Sequence, residues 1–243
     1  MSFRMIYDIH SHTNYSHATG SIEENVQAAV ERGLTLIGIS EHGPGHLSYG
    51  AKRESFALMR KEVDRLRPLY PQIEIQLGVE ANIINAAGDL DVGPAENDLF
   101  DYVLAGYHYG AFGSMPLAAV RGWLFSVFRS HGKKGIAANT KMIINAIERY
   151  PLKVLTHPGA KIKINIRDVA KACADRGTLM EISNRYDALS VEDIRICAEE
   201  NVSFIINSDG HKPEEIGRFE KALERARQAG LDLSRIVNLT AEK

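Results

Sequence analysis

Apolar positions along the chain fall into short β-rich runs, separated by longer stretches in which apolar residues recur every three or four positions. Residues 5–9, 35–39, 73–79, 102–105, 153–155, 178–182 and 203–206 predict seven strands. Helices are predicted between them, several with a legible start. Ser21 with Glu24 makes a capping box, Asn165 precedes a first turn containing Asp168, and Ser190 opens a turn that brings Glu192 and Asp193 to the positive end of the helix dipole. Near-continuous apolar strands alternating with helices imply a parallel sheet covered by helices. Seven such units favour a closed, TIM-like α/β barrel over an open doubly wound sheet. The glycine fingerprint of a dinucleotide-binding fold is absent from the sequence. No Pro/Gly/Ser linker, low-complexity tract or repeat beyond the βα unit interrupts the pattern, so a single domain over residues 1–243 is expected.

Composition narrows the function classes. Lysine and arginine number 29 against 31 acidic residues, a formal net charge of −2 over 243 residues. That leaves no basic stripe for a polymeric nucleic acid and no cationic face for anionic lipid. The opening MSFRMIYDIH lacks the pattern of a cleaved leader, and no segment approaches the ~18 consecutive apolar residues of a membrane span. A cytoplasmic protein is expected. Cys173 and Cys197 both fall in predicted helices among alanines and apolar residues, which reads as two buried free thiols.

The chemistry gathers at the ends of the predicted strands. His10 and His12 close the first strand; side chains two apart on an extended chain point the same way and can grip one ion. His42 follows the second strand, Glu80 ends the third, His108 the fourth and His157 the fifth, while Asp209 and His211 end the seventh. A single HxH pair or a lone histidine is more often a satisfied core or surface residue. Six of seven strands delivering a metal-ligand type to the one face where a barrel collects its strand ends is a different matter. Imidazoles and carboxylates crowded together with few cations ask for metal ions as partners. Such a donor set, free of thiolates, suits zinc, manganese or iron. No serine-centred elbow, P-loop or CxxC pair supports covalent or nucleotide-binding chemistry.

These segments, HxH at His10 to His12, YSHATG around His17, SEHG around His42, GVEAN around Glu80, AGYH at His108, THPG at His157 and SDGH at Asp209 to His211, resemble the polymerase and histidinol phosphatase (PHP) superfamily. The resemblance spans essentially the whole chain and is closest to the small single-domain branch. It implies a distorted (βα)7 barrel, a centre of three divalent ions and hydrolysis of phosphate esters by a metal-bound water. Zinc is the first expectation, manganese or iron the alternatives. By position, it assigns His10, His12, Glu80 and Asp209 to one ion, with Glu80 bridging to a second ion held also by His108 and His157. His17, His42 and His211 would take the third. Glu80 and Asp209 would also orient the attacking water. The family usually carries Asp before the second-strand histidine, where this chain has Glu41.

The expected substrate is a small phosphorylated metabolite cleaved as a phosphomonoester. A histidinol-phosphate phosphatase and a short-nucleotide phosphodiesterase are the alternatives, and a metal-dependent amidohydrolase is weaker because no lysine stands where Glu80 sits. The non-enzymatic alternative is a regulatory metal-binding module, which predicts missing ligands or an attached partner domain. Lys161 and Lys163 after THPG, and Asn184 with Arg185 after the sixth strand, are placed to touch a substrate phosphate. His46 and His131 lie in Gly-containing loops and read as surface residues. The apolar segment 115–129, with Trp123, Phe125 and Phe128, reads as packing on the barrel, with a lid or a homo-oligomer contact as alternatives.

Overall fold

The computed structural model describes residues 2–111 and 132–242; the 115–129 segment and His131 lie outside the described residues. Strand β1 (Phe3–Met5) pairs antiparallel with β9 (Leu239–Ala241), so the two chain ends meet in a short ribbon. A seven-stranded parallel sheet then runs in sequence order: β2 (Tyr7–Asp8), β3 (Leu36–His42), β4 (Glu74–Asn82), β5 (Tyr102–Gly106), β6 (Val154–Leu155), β7 (Leu179–Ser183) and β8 (Phe204–Asn207). The outer helices are α1 (Ile22–Glu31), α2 (Arg53–Leu66), α3 (Lys133–Arg149), α4 (Ile166–Arg176), α5 (Val191–Ala198) and α6 (Glu220–Gln228). The result is the expected α/β barrel, nearly closed.

Its seam lies between β8 and β2, where no ladder forms. A single parallel bridge joins Ser11 to Gly210. Three hydrogen bonds support it: His12 N–H to Gly210 O at 2.9 Å, Ile9 N–H to Asn207 Oδ1 at 3.2 Å and Ser208 N–H to Asp8 Oδ1 at 3.3 Å. The predicted run 5–9 is broken for the same reason. Ile6 N–H turns to Asn238 O at 2.9 Å, and the chain passes there from the ribbon into the barrel.

The main core lies between sheet and helices, where Val26, Phe56, Val63, Ile147, Val169 and Ala226 are fully buried. A second, smaller cluster of Ile9, Tyr102, Leu104, Val154 and Ile205 fills the barrel interior. Tyr102 crosses the barrel floor, its hydroxyl donating to Ile9 O at 2.9 Å and lying 2.8 Å from Ser40 Oγ. Gly38 and Gly78 make room for it, since a Cβ at either position would run into the tyrosine side chain.

Helix starts follow the sequence signals. Ser21 and Ser190 both cap through reciprocal boxes with Glu24 and Asp193. Asn165 stands at its expected N-cap, but its side chain donates to Asp168 Oδ2 at 2.7 Å instead of capping the backbone. Strands β3 and β4 run three residues past the ends of their apolar runs. His42 and Glu80 therefore stand inside strands, as direct register partners. The ladder continues there because their side chains enter a buried polar mouth, not solvent. Both cysteines are buried and free, as expected; burial pushes the Cys197 thiol up to about 12 and the Cys173 thiol up as well.

Candidate metal centre

The C-terminal ends of the strands converge on Glu80. Its Oε1 lies 2.8 Å from His157 Nε2 and 3.4 Å from His108 Nε2, and its Oε2 lies 2.8 Å from His42 Nδ1 and 3.4 Å from His10 Nε2. His12 Nε2 stands 3.3 Å from Asp209 Oδ1, and His10 Nε2 stands 3.8 Å from the same oxygen. Ligand atoms within 4.8 Å of one another form three groups: His10 with His12 and Asp209; His42 with Glu80 and His108; and His12 with His42 and His211. His17, the expected partner of His42 and His211, stands at the exposed rim, its ring centroid 5.2 Å from His42 and 4.5 Å from His211. His12 takes its place in the group, with its ring 4.2 Å from that of His42.

These donors are oriented from behind. His10 Nδ1–H donates to Glu181 Oε1 at 2.7 Å, which turns Nε2 into the mouth as a lone pair. His108 Nδ1–H donates to Asn82 Oδ1 at 2.8 Å, and the Asn82 amide is fixed in turn by Asp91 Oδ2 and Gly43 O. His211 Nδ1–H donates to Asp209 O at 2.9 Å. Thr156 Oγ1–H donates to Glu80 Oε1 at 2.7 Å. Two of the donors carry left-handed backbone, His157 with φ 30° and Asp209 with φ 52°. A non-glycine residue pays for that conformation, and such outliers gather at functional sites.

What the protein leaves unpaired tests whether ions fit. His10 Nε2, both ring nitrogens of His12, His42 Nδ1 and Glu80 Oε2 are buried with no hydrogen-bond partner, although several stand within 4 Å of one another. Each orphaned buried polar atom costs roughly 1–3 kcal/mol, so a cluster of them is intelligible only if cations complete it. The protonation states divide by position. Burial pushes His42 and His211 down to about 3 and His12 down as well, keeping neutral lone pairs. Burial alone would raise Glu80, but His108, His10, His42 and His157 around it hold it well below the usual carboxylate range. Burial raises Asp209 to about 7. Against the effect of burial, Glu181, Glu80 and Asp209 raise His10 well above the usual imidazole range, and Glu80 and Glu181 raise His157, so without ions these two rings supply positive charge to the cluster. Imidazoles with carboxylates, and no thiolate, form a donor set for divalent zinc, manganese or iron.

Glu41 reaches a different partner from the one its place before His42 implies. It accepts from Thr13 N–H at 2.5 Å and from the Thr13 hydroxyl, and its other oxygen lies 3.9 Å from His12 Nδ1. Its extra methylene anchors the start of the loop that carries His17. His46 corrects the surface reading. It is 8% exposed, its Nε2–H donates to Tyr109 O at 2.6 Å, and it stacks at 3.3 Å on Tyr49, whose ring also lies 4.6 Å from His42.

The expected substrate contacts border the mouth in different ways. Lys161 Nζ sits 4.4 Å over the Tyr186 ring, which lies 5.2 Å from His157. Lys163 offers its carbonyl to Asn139 Nδ2 at 3.0 Å. Asn184 is buried, its Oδ1 accepting from Lys221 N–H at 3.0 Å and Ala222 N–H at 3.3 Å. Arg185 is exposed, and after burial its charge is the next cause that pushes down His17. Glu181 is the functional residue the sequence reading missed. Fully buried, it holds His10 Nδ1 and also accepts His157 N–H at 2.8 Å and Asn207 Nδ2 at 2.9 Å. A charged residue inside the apolar run 178–182 was the available signal.

Known proteins resemble this chain along nearly its whole length. A probable phosphatase of Thermoanaerobacter sp. (strain X514) is 30% identical, covering 99% of this chain and 93% of its own length. A probable phosphatase of Proteus mirabilis is 29% identical over 97% of this chain and 91% of its own. Among solved structures, a candidate histidinol phosphatase from Listeria monocytogenes superposes with a TM-score of 0.67 at 16% identity, covering 87% of this chain and 97% of its own. Histidinol phosphate phosphatase from Lactococcus lactis, solved with zinc, L-histidinol and phosphate, gives a TM-score of 0.57 at 14% identity, covering 93% of this chain and 94% of its own. These likenesses are of fold. The model of the PHP domain matches residues 8–185, which takes in every candidate ligand except Asp209 and His211. The chain belongs to the PHP domain family.

Proposed function

We propose that this metal-dependent phosphatase is a phosphomonoesterase acting on a small phosphorylated metabolite, with three divalent ions held at the barrel mouth and the whole chain serving as one catalytic domain. The observation that carries the reading is the convergence of orphaned, lone-pair-bearing atoms of His10, His12, His42 and Glu80 in one buried place. His10, His12 and Asp209 would hold one ion, Glu80, His108 and His157 a second with His42 beside them, and His42, His211 and His12 a third, closed from the rim by His17. Ions held there supply Lewis acidity, which lowers the pKa of water towards neutrality and neutralises charge on phosphoryl oxygens.

The chain's own residues do the rest. Glu80 presents an anionic oxygen to each side of the mouth, and Glu181 keeps His10 and His157 aimed inward. Tyr49 and Tyr186 wall the mouth with rings beside His42 and His157, limiting solvent over the reacting phosphate. Arg185 and Lys161, with Asn184, bring donors to the same rim, where a phosphate would meet them. The small-metabolite reading is supported by the net charge of −2, which disfavours a polyanion, and by the Lactococcus relative in fold, solved with histidinol and phosphate.

The test is phosphate release from a panel of small phosphorylated metabolites, L-histidinol phosphate among them, after chelation and resupply of zinc, manganese or iron. Chelated protein should be inactive and each competent metal should restore turnover. Activity indifferent to prolonged chelation, or confined to polymeric nucleic acid, would defeat the reading. Histidinol phosphate as the favoured member of the panel would establish the second reading, to which the two histidinol phosphatase folds lend their only support.

A further inference from the structure

Beside the metal mouth lies a cleft of about 150 Å³ lined by Asn184, Arg185, Ser208, Glu215, Arg218 and Lys221. It borders the chain that carries two of the candidate ligands: Ser208 precedes Asp209, and Glu215 Oε2 accepts His211 N–H at 3.0 Å. Three of its six lining residues are cations and one is an anion. Glu215 is engaged by Arg185 at 3.4 Å. Arg218 donates its Nε–H to Glu214 O at 2.9 Å, and among the described residues neither Arg218 nor Lys221 is paired with a carboxylate. Asn184 adds a further donor. Its Oδ1 accepts two backbone N–H groups of α6, and only the oxygen of an amide can accept, so its NH2 group is left over. The cleft therefore offers mostly donors and a surplus of two positive charges, next to the segment that carries Asp209 and His211.

We infer that this cleft is a second anion subsite, and that the substrate is a small phosphomonoester carrying another anionic group, a phosphate or a carboxylate, gripped by Arg218 and Lys221 while the scissile phosphate lies in the metal mouth. The inference rests on the phosphatase reading above and specifies its substrate class. An exposed lysine and arginine are ordinarily just solvated. Here they line a concave surface beside the candidate centre and, among the described residues, lack the carboxylates that would neutralise them, and bidentate or charge-assisted contacts to an anion are what such groups make.

Binding and turnover separate the two layers of the argument. Zinc-loaded protein is titrated by calorimetry with propylphosphonate, propane-1,3-bisphosphonate and 3-phosphonopropanoate. Phosphate release is measured from glycerol 3-phosphate and 3-phosphoglycerate. The wild type should bind at least one of the two-anion ligands about tenfold or more tightly than propylphosphonate, a step of one charge-assisted contact. Which of the two gains more identifies the second anion as phosphate or carboxylate. The Arg218→Ala/Lys221→Ala pair should erase that advantage, and Arg218→Lys should keep most of it. Equal binding of all three ligands by the wild type, or an advantage that survives the double substitution, overturns the subsite. A preference that behaves as expected, with no phosphate released from any ester, leaves the subsite standing and removes the phosphatase reading instead.

Discussion

Glu80 is the carboxylate on which five imidazoles close within 4 Å, two against Oε1 and three against Oε2. An amide at this position keeps the volume but offers one weak acceptor and places an NH2 group against the opposing ring nitrogens. Glu80→Gln is therefore expected to abolish turnover, by about 10³-fold or more, as loss of metal-centred charge stabilisation implies. Circular dichroism and the unfolding midpoint should change little. Near-normal activity with full metal content would show that Glu80 does not bridge. His17 and His42 make a sharper residue-scale contrast. His42 belongs to two of the three ligand groups and is 5% exposed, whereas His17 stands at the rim outside all three. Elemental analysis at saturating zinc should find about three ions in the wild type, as three donor groups of this kind imply. His42→Ala should lose at least one, and His17→Ala should lose its ion only when zinc is limiting. A wild type with two or fewer ions, and both variants unchanged, would remove the third site.

At the scale of the element, the barrel floor is set by Tyr102 against two glycines. A Cβ at Gly78 would overlap carbons of the tyrosine ring, which is itself buried and tied at its hydroxyl to Ile9 O. Overpacking of this kind costs ~1–3 kcal/mol. Gly78→Ala should accordingly lower the thermal midpoint by a few degrees, and an unchanged midpoint would mean that the ring relaxes freely. The strands themselves were legible because each is a local apolar run, and the candidate ligands were legible because they follow those runs closely: His10, His42, Glu80, His108, His157 and Asp209 could be read without a partner in view. What could not be read depends on partners remote in sequence. Glu181, an acid inside the apolar run 178–182, drew no reading, because its partner His10, behind which β7 sets it, is 171 residues away. His46 looked exposed until its loop folded onto Tyr109 O, 63 residues on. Strand β9 was missed altogether, being three residues long and paired only with the opposite end of the chain.

The whole barrel has one weak meridian. Around most of its circumference the strands are joined by ladders, seven register pairs between β3 and β4 and five between β4 and β5. Between β8 and β2 there is one bridge and a few side-chain bonds. The candidate ligands straddle that gap: His10 and His12 stand on one side of it, Asp209 and His211 on the other, with His12 Nε2 only 3.3 Å from Asp209 Oδ1. An ion shared by His10, His12 and Asp209 would therefore fasten the seam as well as serve the reaction, and its removal would leave only side-chain contacts of 3.3 and 3.8 Å across the gap. Metal should then stabilise the molecule unevenly. Ligand at 100 times its dissociation constant contributes about 2.7 kcal/mol, or close to 100-fold in the population of open states. Amide hydrogen exchange on chelated and zinc-loaded protein should show that slowing at residues 9–12 and 208–211, and a much smaller one along β3 and β4, whose ladder holds without ions. Equal slowing at both places, or none at the seam, would mean that the ions sit on a barrel already closed by its own backbone.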